Sequence, residues 1–450
     1  MGRYSGKRML VVGLGLSGVS ALRYLAREGA DLVITDSRAE PAGHRQLTAE
    51  FERFAFHLGG FSAPEPLSQF NEAVLSPGVS LNEPFVLALK AAGVPLIGDI
   101  ELFARHAKAP VIGITGSNGK STVTTLVGEM AKAAGLRVGV GGNLAPPALD
   151  VLSDQAQLYV LELSSFQLDT THTLRCRAAT VLNLSEDHLD RHGSMEAYGA
   201  TKARIFNGCQ VAVTNRDDIA TRLNSDTARR RVSFGLDAPR APGEYGLIEQ
   251  RGELWLATAR ERVMPLTALK IAGLHNAANV LAALALFEAA DLPRASALKA
   301  LQDFRGLPHR CALVAEIDGA RYYNDSKGTN VGSTLAAVRG LPSPVIWLGG
   351  GQGKGQDFGP LAAALATKGS AAILFGEDAD KIEAAIDGAL PVYREPSMAE
   401  ALKRARGLTV PGASVLLSPA CASFDQFKSY VDRGQQFEAA VKQMAVEASP

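Results

Sequence analysis

Two glycine-rich loops about 100 residues apart each stand between an apolar run and a helical pattern. The first, Gly13-Leu-Gly15-Leu-Ser17-Gly18, follows MLVVG (9–13) and opens VSALRYLARE; the second, Thr115-Gly116-Ser117-Asn118-Gly119-Lys120-Ser121-Thr122, follows PVIGI and opens TVTTLVGEMAKAAG. A tight strand-to-helix turn needs glycine and aims backbone N–H groups at an anion on the helix N-terminus. A chain organised around two such turns is confined to α/β folds with parallel sheets covered by helices.

The rest of the chain keeps that rhythm. Short apolar runs at 31–36, 72–78 and 94–99 complete a first set, and 110–116, 136–142, 158–165, 178–184 and 209–215 form a second. A polar, β-like insertion at about 232–266 and a buried helix at 279–290 follow. A third set holds 320–326, 344–351, 371–377 and 414–420, and VEASP at the end reads as frayed. We expect three domains: residues 1–98, Rossmann-like; 99–305, a central P-loop mononucleotide-binding domain; and 306–450, Rossmann-like again.

Composition narrows the function. Lys plus Arg (46) equals Asp plus Glu (46), which speaks against a general binder of nucleic acid or anionic membranes. The 4 cysteines lack metal or disulfide spacing, in keeping with a reducing compartment. The first apolar run breaks at Gly13 and reads as a strand, not a signal peptide, and the stretch Asn279 to Ala290 is too short to span a bilayer. A cytoplasmic protein is the expectation.

The first loop matches G-x-G-x-x-G, and Asp36 ends the next strand about 20 residues on, where dinucleotide folds read a ribose. Ser37 and Arg38 follow it, Arg38 being equally a solvated charge. The fingerprint says diphosphate near a helix start and leaves NAD or another nucleotide open. The second loop departs from G-x-x-x-x-G-K-[ST], with Ile114 at the first glycine position, yet keeps the mechanism. Backbone N–H groups cradle phosphates, Lys120 reaches the β/γ oxygens and Ser121 can ligate Mg²⁺. A dehydrogenase needs no ATP loop, and a kinase needs no second diphosphate site unless its substrate carries one.

Other polar groups gather after strands. Glu162 ends LYVLE, where a nucleotide fold places a second Mg²⁺ carboxylate. The run Asn183-Leu-Ser-Glu-Asp187-His188-Leu-Asp190 offers metal ligands; a lone His is usually structural, and the company of a P-loop and Glu162 favours a metal role for His188. Asp187 and Asp190 are alternatively helix caps. Lys202, in a helical pattern, reads from residue type alone as a solvated cation. Asn276 and Asn279 open the buried helix; Asn276 is a candidate N-cap, and either amide can read an adenine edge. Three polar loops at 323–330, 349–354 and 418–423 point to one site in the third sheet, with Lys354 and Ser423 suited to a carboxylate. Nothing near Cys421 in the sequence offers it a base, which makes it a weak nucleophile candidate.

Taken together, GLGLSG, GDIELF, TGSNGKST, LELSSFQL, LNLSEDHLDRHG, YGATKARI, GLHNAAN, GLPHR, NDSKGTN, GGGQGKG and LSPACASFDQFKSY resemble the Mur ligase family, the ADP-forming amide ligases of bacterial peptidoglycan synthesis. The resemblance covers the whole chain. It implies that Leu16, Ser17, Asp36, Ser37, Arg38 and Gly78 line a UDP site, with Asn143 and His188 toward the sugar-peptide arm. Gly116, Asn118, Gly119, Lys120, Ser121 and Thr122 would hold ATP phosphates, and Asn276, Asn279, Arg310, Asp325 and Lys327 the rest of ATP. Ser121 and Glu162 would bind one Mg²⁺, and His188 a second with Lys202 as a CO₂-derived carbamate. Thr329, Lys354, Ser423, Phe424 and Tyr430 would frame D-glutamate, with Phe424 and Tyr430 standing where Leu and Phe are expected.

The implied reaction joins D-glutamate to UDP-N-acetylmuramoyl-L-alanine through an acyl phosphate, with Lys120, Glu162, His188, Lys202 and Lys327 as its working groups. A monomer is expected. The competing readings are a sister ligase adding another amino acid, a folylpolyglutamate synthetase-like enzyme (which should lack the first loop domain), an NAD-dependent oxidoreductase with an NTPase domain, and a non-catalytic nucleotide sensor.

Overall fold

The computed structural model describes residues 2–271 and 273–448. Three sheets follow one another along the chain. The first has five parallel strands in the order Ala55–Leu58, Asp31–Asp36, Arg8–Val12, Glu72–Leu75, Leu96–Gly98. The strand order reverses between Arg8–Val12 and Glu72–Leu75, so the first glycine loop and the turn at Gly78 leave adjacent strand ends at the switch point, where open α/β sheets bind ligands. Gly18 is required there, because a Cβ would run into the Gly13 carbonyl oxygen.

The central sheet has nine strands. Val111–Thr115, buried throughout, lies between Ala178–Val181 and Leu158–Glu162, with Val138–Gly142 beyond the latter. On the other flank come Val211–Asn215 and Arg230–Phe234, and then Glu244–Gln250, Glu253–Thr258 and Arg262–Pro265, whose mutual pairing is antiparallel. The last four strands are the polar β-like segment. Helix Leu274–Ala289 is apolar nearly all round and packs against Lys120–Ala133 and the sheet; such a helix is stable only as a buried element.

The third sheet runs Ala312–Ile317, Ala320–Asn324, Ser414–Leu417, Val345–Gly349, Gly369–Leu374, Val392–Arg394, with only the first pair antiparallel. Ala320–Asn324, Ser414–Leu417 and Val345–Gly349 are thus parallel neighbours, and their three polar loops leave the same edge. The C-terminal helix Tyr430–Ala448 includes 446–448, so VEASP is not frayed over those residues; Ser449 and Pro450 lie outside the described ones. Among the described residues no helix is long and apolar enough to cross a membrane.

Candidate active site

A cleft of about 930 Å³ opens between the P-loop, the loop 183–188 and the first part of the third sheet's domain. It gathers Asn118, Gly119, Lys120, Ser121, Thr122, Asn143, Glu162, His188 and Lys202 from the central sheet's connections. It also takes Asn276 and Asn279 from the buried helix, and Arg310, Asp325, Lys327, Thr329 and Lys354 from beyond it. Gly116 lies behind this lining, its carbonyl turned to two lysines.

Gly119 carries the turn at φ +82°, and a Cβ there would collide with the Asn279 amide oxygen, so the P-loop sits directly on the first turns of the buried helix. Lys120 Nζ donates to the carbonyls of Gly116 and Ser117, both at 2.8 Å. Burial draws its pKa below the ordinary lysine value, partly opposed by Glu162 and Asp187. Ser121 Oγ accepts from Arg310 Nη2 at 2.7 Å, a bond that joins the P-loop to the third domain. Asp325 accepts from the Ser418 hydroxyl at 2.7 Å and from the Cys311 N–H at 3.1 Å; burial pushes it up to about 7. Lys327 lies 4.0 Å over the Tyr430 ring, and burial beside Arg310 and Lys120 lowers it to about 8.

Glu162 is 2% exposed. Its Oε1 accepts from Asn143 Nδ2 at 2.6 Å, while Oε2 is buried with no hydrogen-bond partner. A buried carboxylate oxygen left bare is costly unless a cation completes it. His188 adopts a left-handed backbone (φ 55°), its ring edge-on to Phe166, and burial first of all lowers its pKa and favours the neutral, ligating form. Among the described residues no group of three or more His, Cys, Asp and Glu forms a metal cluster; the expected set relies on a hydroxyl and a lysine besides Glu162 and His188.

Lys202 overturns its reading as a solvated cation. It is 2% exposed, with Nζ 4.5 Å over the Tyr198 ring and 3.0 Å from the Gly116 carbonyl. Burial, then Lys120, drives its pKa well below 10.5, so the amine is held toward its neutral form.

Two capping readings also fail. Gly273, not Asn276, is the N-cap of the buried helix, and Asn276 lies in its first turn, its Oδ1 facing Asn279 Nδ2 at 3.4 Å. The short helix after the 183–188 loop has His188 as N-cap without a side-chain bond, so neither Asp187 nor Asp190 caps it. Asp187 instead lies 3.9 Å from Lys354 Nζ. Cys421 is buried and its thiol pushed up to about 12, which removes it as a nucleophile.

The first loop forms a separate region, bearing Leu16, Ser17, Asp36, Ser37, Arg38 and Gly78 outside the cleft. Asp36 is buried, and Arg38 binds it through two guanidinium nitrogens at 2.8 and 2.7 Å. The Leu14 and Arg38 N–H groups complete it at 2.6 and 2.9 Å. Burial alone would raise its pKa; these bonds more than offset that and hold it below the usual carboxylate range. Arg191, which the motifs alone did not single out, donates to the carbonyls of Gly78 and Val79, both at 3.2 Å, and stacks on Phe166. It ties this region to the central domain.

Of the expected D-glutamate frame, Thr329 and Lys354 line the cleft, and Ser423, Phe424 and Tyr430 stand outside its lining. Ser423 is buried, Phe424 is largely exposed, and Tyr430 lies under Lys327.

These features define a three-domain α/β nucleotide-binding protein in which the third domain completes the P-loop cleft. Known proteins share the pattern. Residues 7–98 match the Mur ligase MurD-like N-terminal domain, 114–287 the Mur ligase middle domain, and 309–421 the Mur ligase glutamate ligase domain. The UDP-N-acetylmuramoylalanine–D-glutamate ligase of Methylobacillus flagellatus is 51% identical over 442 residues, covering 97% of this chain and 96% of its own. That of Nitrosococcus oceani is 49% identical over 438 residues, covering 97% and 96%. Among solved structures, UDP-N-acetylmuramate-alanine ligase MurC from Thermotoga maritima has a TM-score of 0.60 at 18% identity, covering 97% of this chain and 99% of its own. MurF from Acinetobacter baumannii has 0.62 at 18%, covering 98% and 91%. The chain belongs to the Mur ligase family.

Proposed function

We propose that this chain is the family member that uses ATP to join D-glutamate to UDP-N-acetylmuramoyl-L-alanine, in peptidoglycan precursor synthesis. The reading is carried by one observation: the P-loop, Glu162 and the third-domain trio Arg310, Asp325 and Lys327 converge on one cleft. The choice of substrates rests on the names shared by relatives about half identical over nearly their whole length.

In this reading residues 1–98 hold the UDP end at the switch point, 99–305 hold ATP, and 306–450 bring the amino acid. The terminal carboxylate attacks the γ-phosphorus, ADP leaves, and an acyl phosphate forms. The amine of D-glutamate then adds to the acyl carbon, loses a proton, and phosphate departs with the C–O bonding pair. The chain supplies positioning and charge. Lys120, Lys327 and Arg310 face the phosphates, and Lys354 with Thr329 orients the incoming carboxylate.

The bare Glu162 Oε2 fits a divalent cation, which Glu162 and Ser121 would hold, while His188 and a carbamate on Lys202 would hold a second. Mg²⁺ would supply neutralisation of phosphate charge. Lys202 suits carbamate formation because only a neutral amine adds CO₂, forming an N–C bond and releasing a proton. The protein would act as a cytoplasmic monomer.

The test is phosphate release from ATP with Mg²⁺ and UDP-N-acetylmuramoyl-L-alanine, offered D-glutamate, L-glutamate, L-lysine or meso-diaminopimelate. Release that requires D-glutamate supports the reading. Release with another amino acid moves the chain to a sister step, and none with any acceptor overturns it.

A further inference from the structure

The P-loop and the third domain meet through a reciprocal amide pair. Asn118 Nδ2 donates to Asn330 Oδ1 at 3.3 Å, and Asn330 Nδ2 returns a bond to Asn118 Oδ1 at 3.1 Å. Both residues are fixed from behind. The Asn118 backbone is clamped by Asn183, which accepts from its N–H at 2.8 Å and donates to its carbonyl at 3.1 Å. Asn330, 4% exposed, caps helix Val331–Gly340 by accepting from the Ser333 N–H at 2.8 Å.

A second, steric observation lies two residues on. Gly332 is helical, where alanine would ordinarily be the better residue. A Cβ there would stand 2.8 Å from Ser185 Oγ, so only glycine lets this helix approach the 183–188 loop so closely. The contact continues into the amino-acid side of the cleft. Thr329 precedes Asn330, and the Val331 N–H donates to Gln356 Oε1 at 2.9 Å. Gln356 in turn donates to the Gly353 carbonyl, next to Lys354, at 2.9 Å.

We propose that Asn330 is a positioning residue that couples the ATP loop to the amino-acid-binding loops: the Asn118–Asn330 pair, with the Gly332–Ser185 approach, sets where Thr329 and Lys354 stand relative to the P-loop. This rests on the reading that the third domain takes D-glutamate.

The test is a double-mutant cycle read on KM for D-glutamate, kcat and thermal midpoint. Asn330→Asp keeps a capping oxygen but loses the donor to Asn118, so the fold should hold while KM for D-glutamate rises about tenfold, as for one or two net hydrogen bonds. Asn118→Ala should raise the same KM, and the double variant should be no worse than the worse single one. Gly332→Ala should raise KM for D-glutamate, and adding Ser185→Gly should restore it in part, because the hydroxyl it removes also accepts from Asn118 Nδ2 at 3.2 Å. Additive effects in the cycle, or a wild-type KM in Gly332→Ala, overturn the coupling while leaving the function intact. A wild-type protein without D-glutamate-dependent phosphate release overturns both.

Discussion

At the first glycine loop the acid after the next strand is taken up by its own chain. Asp36 has both oxygens bound by Arg38 and by loop N–H groups. At the second loop the acid ending the adjacent strand, Glu162, keeps one buried oxygen without a partner, among Lys120, Lys202, Lys327 and Arg310. The two loops share a strand–glycine–helix plan. They differ in what the fold leaves unsatisfied. The first is closed on itself, its acid shaping the loop and holding Arg38; the second is charged and incomplete, which suits the proposed triphosphate and cation.

The comparison breaks most readily at Lys120. Lys120→Ala should lower kcat by on the order of 10³-fold while UDP-substrate affinity, measured by calorimetry, stays near wild type. A near-normal kcat would remove the phosphate role from the second loop. Lys202→Ala should cost about 10²-fold or more, with partial recovery when short carboxylic acids are added to the assay. Full activity of the unrescued variant excludes an essential Lys202.

A smaller effect is expected at the first loop. Asp36→Asn frees Arg38 and should raise KM for the UDP substrate by about tenfold with little change in kcat. A loss of kcat as large as that of Lys120→Ala would erase the distinction between a binding loop and a chemical one. The mildest test is pH. In its proposed role Lys327 must carry its proton to face phosphate, and burial beside Arg310 and Lys120 lowers its pKa to about 8. The cation is present below that value and lost above it, so kcat/KM for ATP should fall as pH rises, with about half remaining near pH 8. Lys327→Arg should move that limb upward; an unchanged limb assigns it to another group.

The strand–loop–helix grammar was legible because glycine, Lys and Ser/Thr in that order encode local geometry. Central strands were legible too, since burial on both faces demands apolar runs. The strands missed, Ala55–Leu58, Ala312–Ile317 and Val392–Arg394, are all sheet edges, half exposed and paired on one side only, where the apolar demand lapses. Asn276 misled as a cap because Gly273 starts the helix without a side-chain bond. Asn330 and Gly332 were invisible as partners of Asn118 and Ser185, because a contact spanning 212 residues leaves no periodic trace.

By itself the sequence determined three α/β units, the two anion-binding turns, and which residues could carry charge chemistry, because those properties follow from periodicity and residue type within a few turns of chain. Only the tertiary structure decided which charges remain unsatisfied. It buried Lys202 beside Lys120, left Glu162 Oε2 bare, closed Asp36 with Arg38, and set Arg310 on Ser121. Desolvation and pairing depend on what distant segments pack nearby, and that is a property of the folded molecule rather than of any stretch of it.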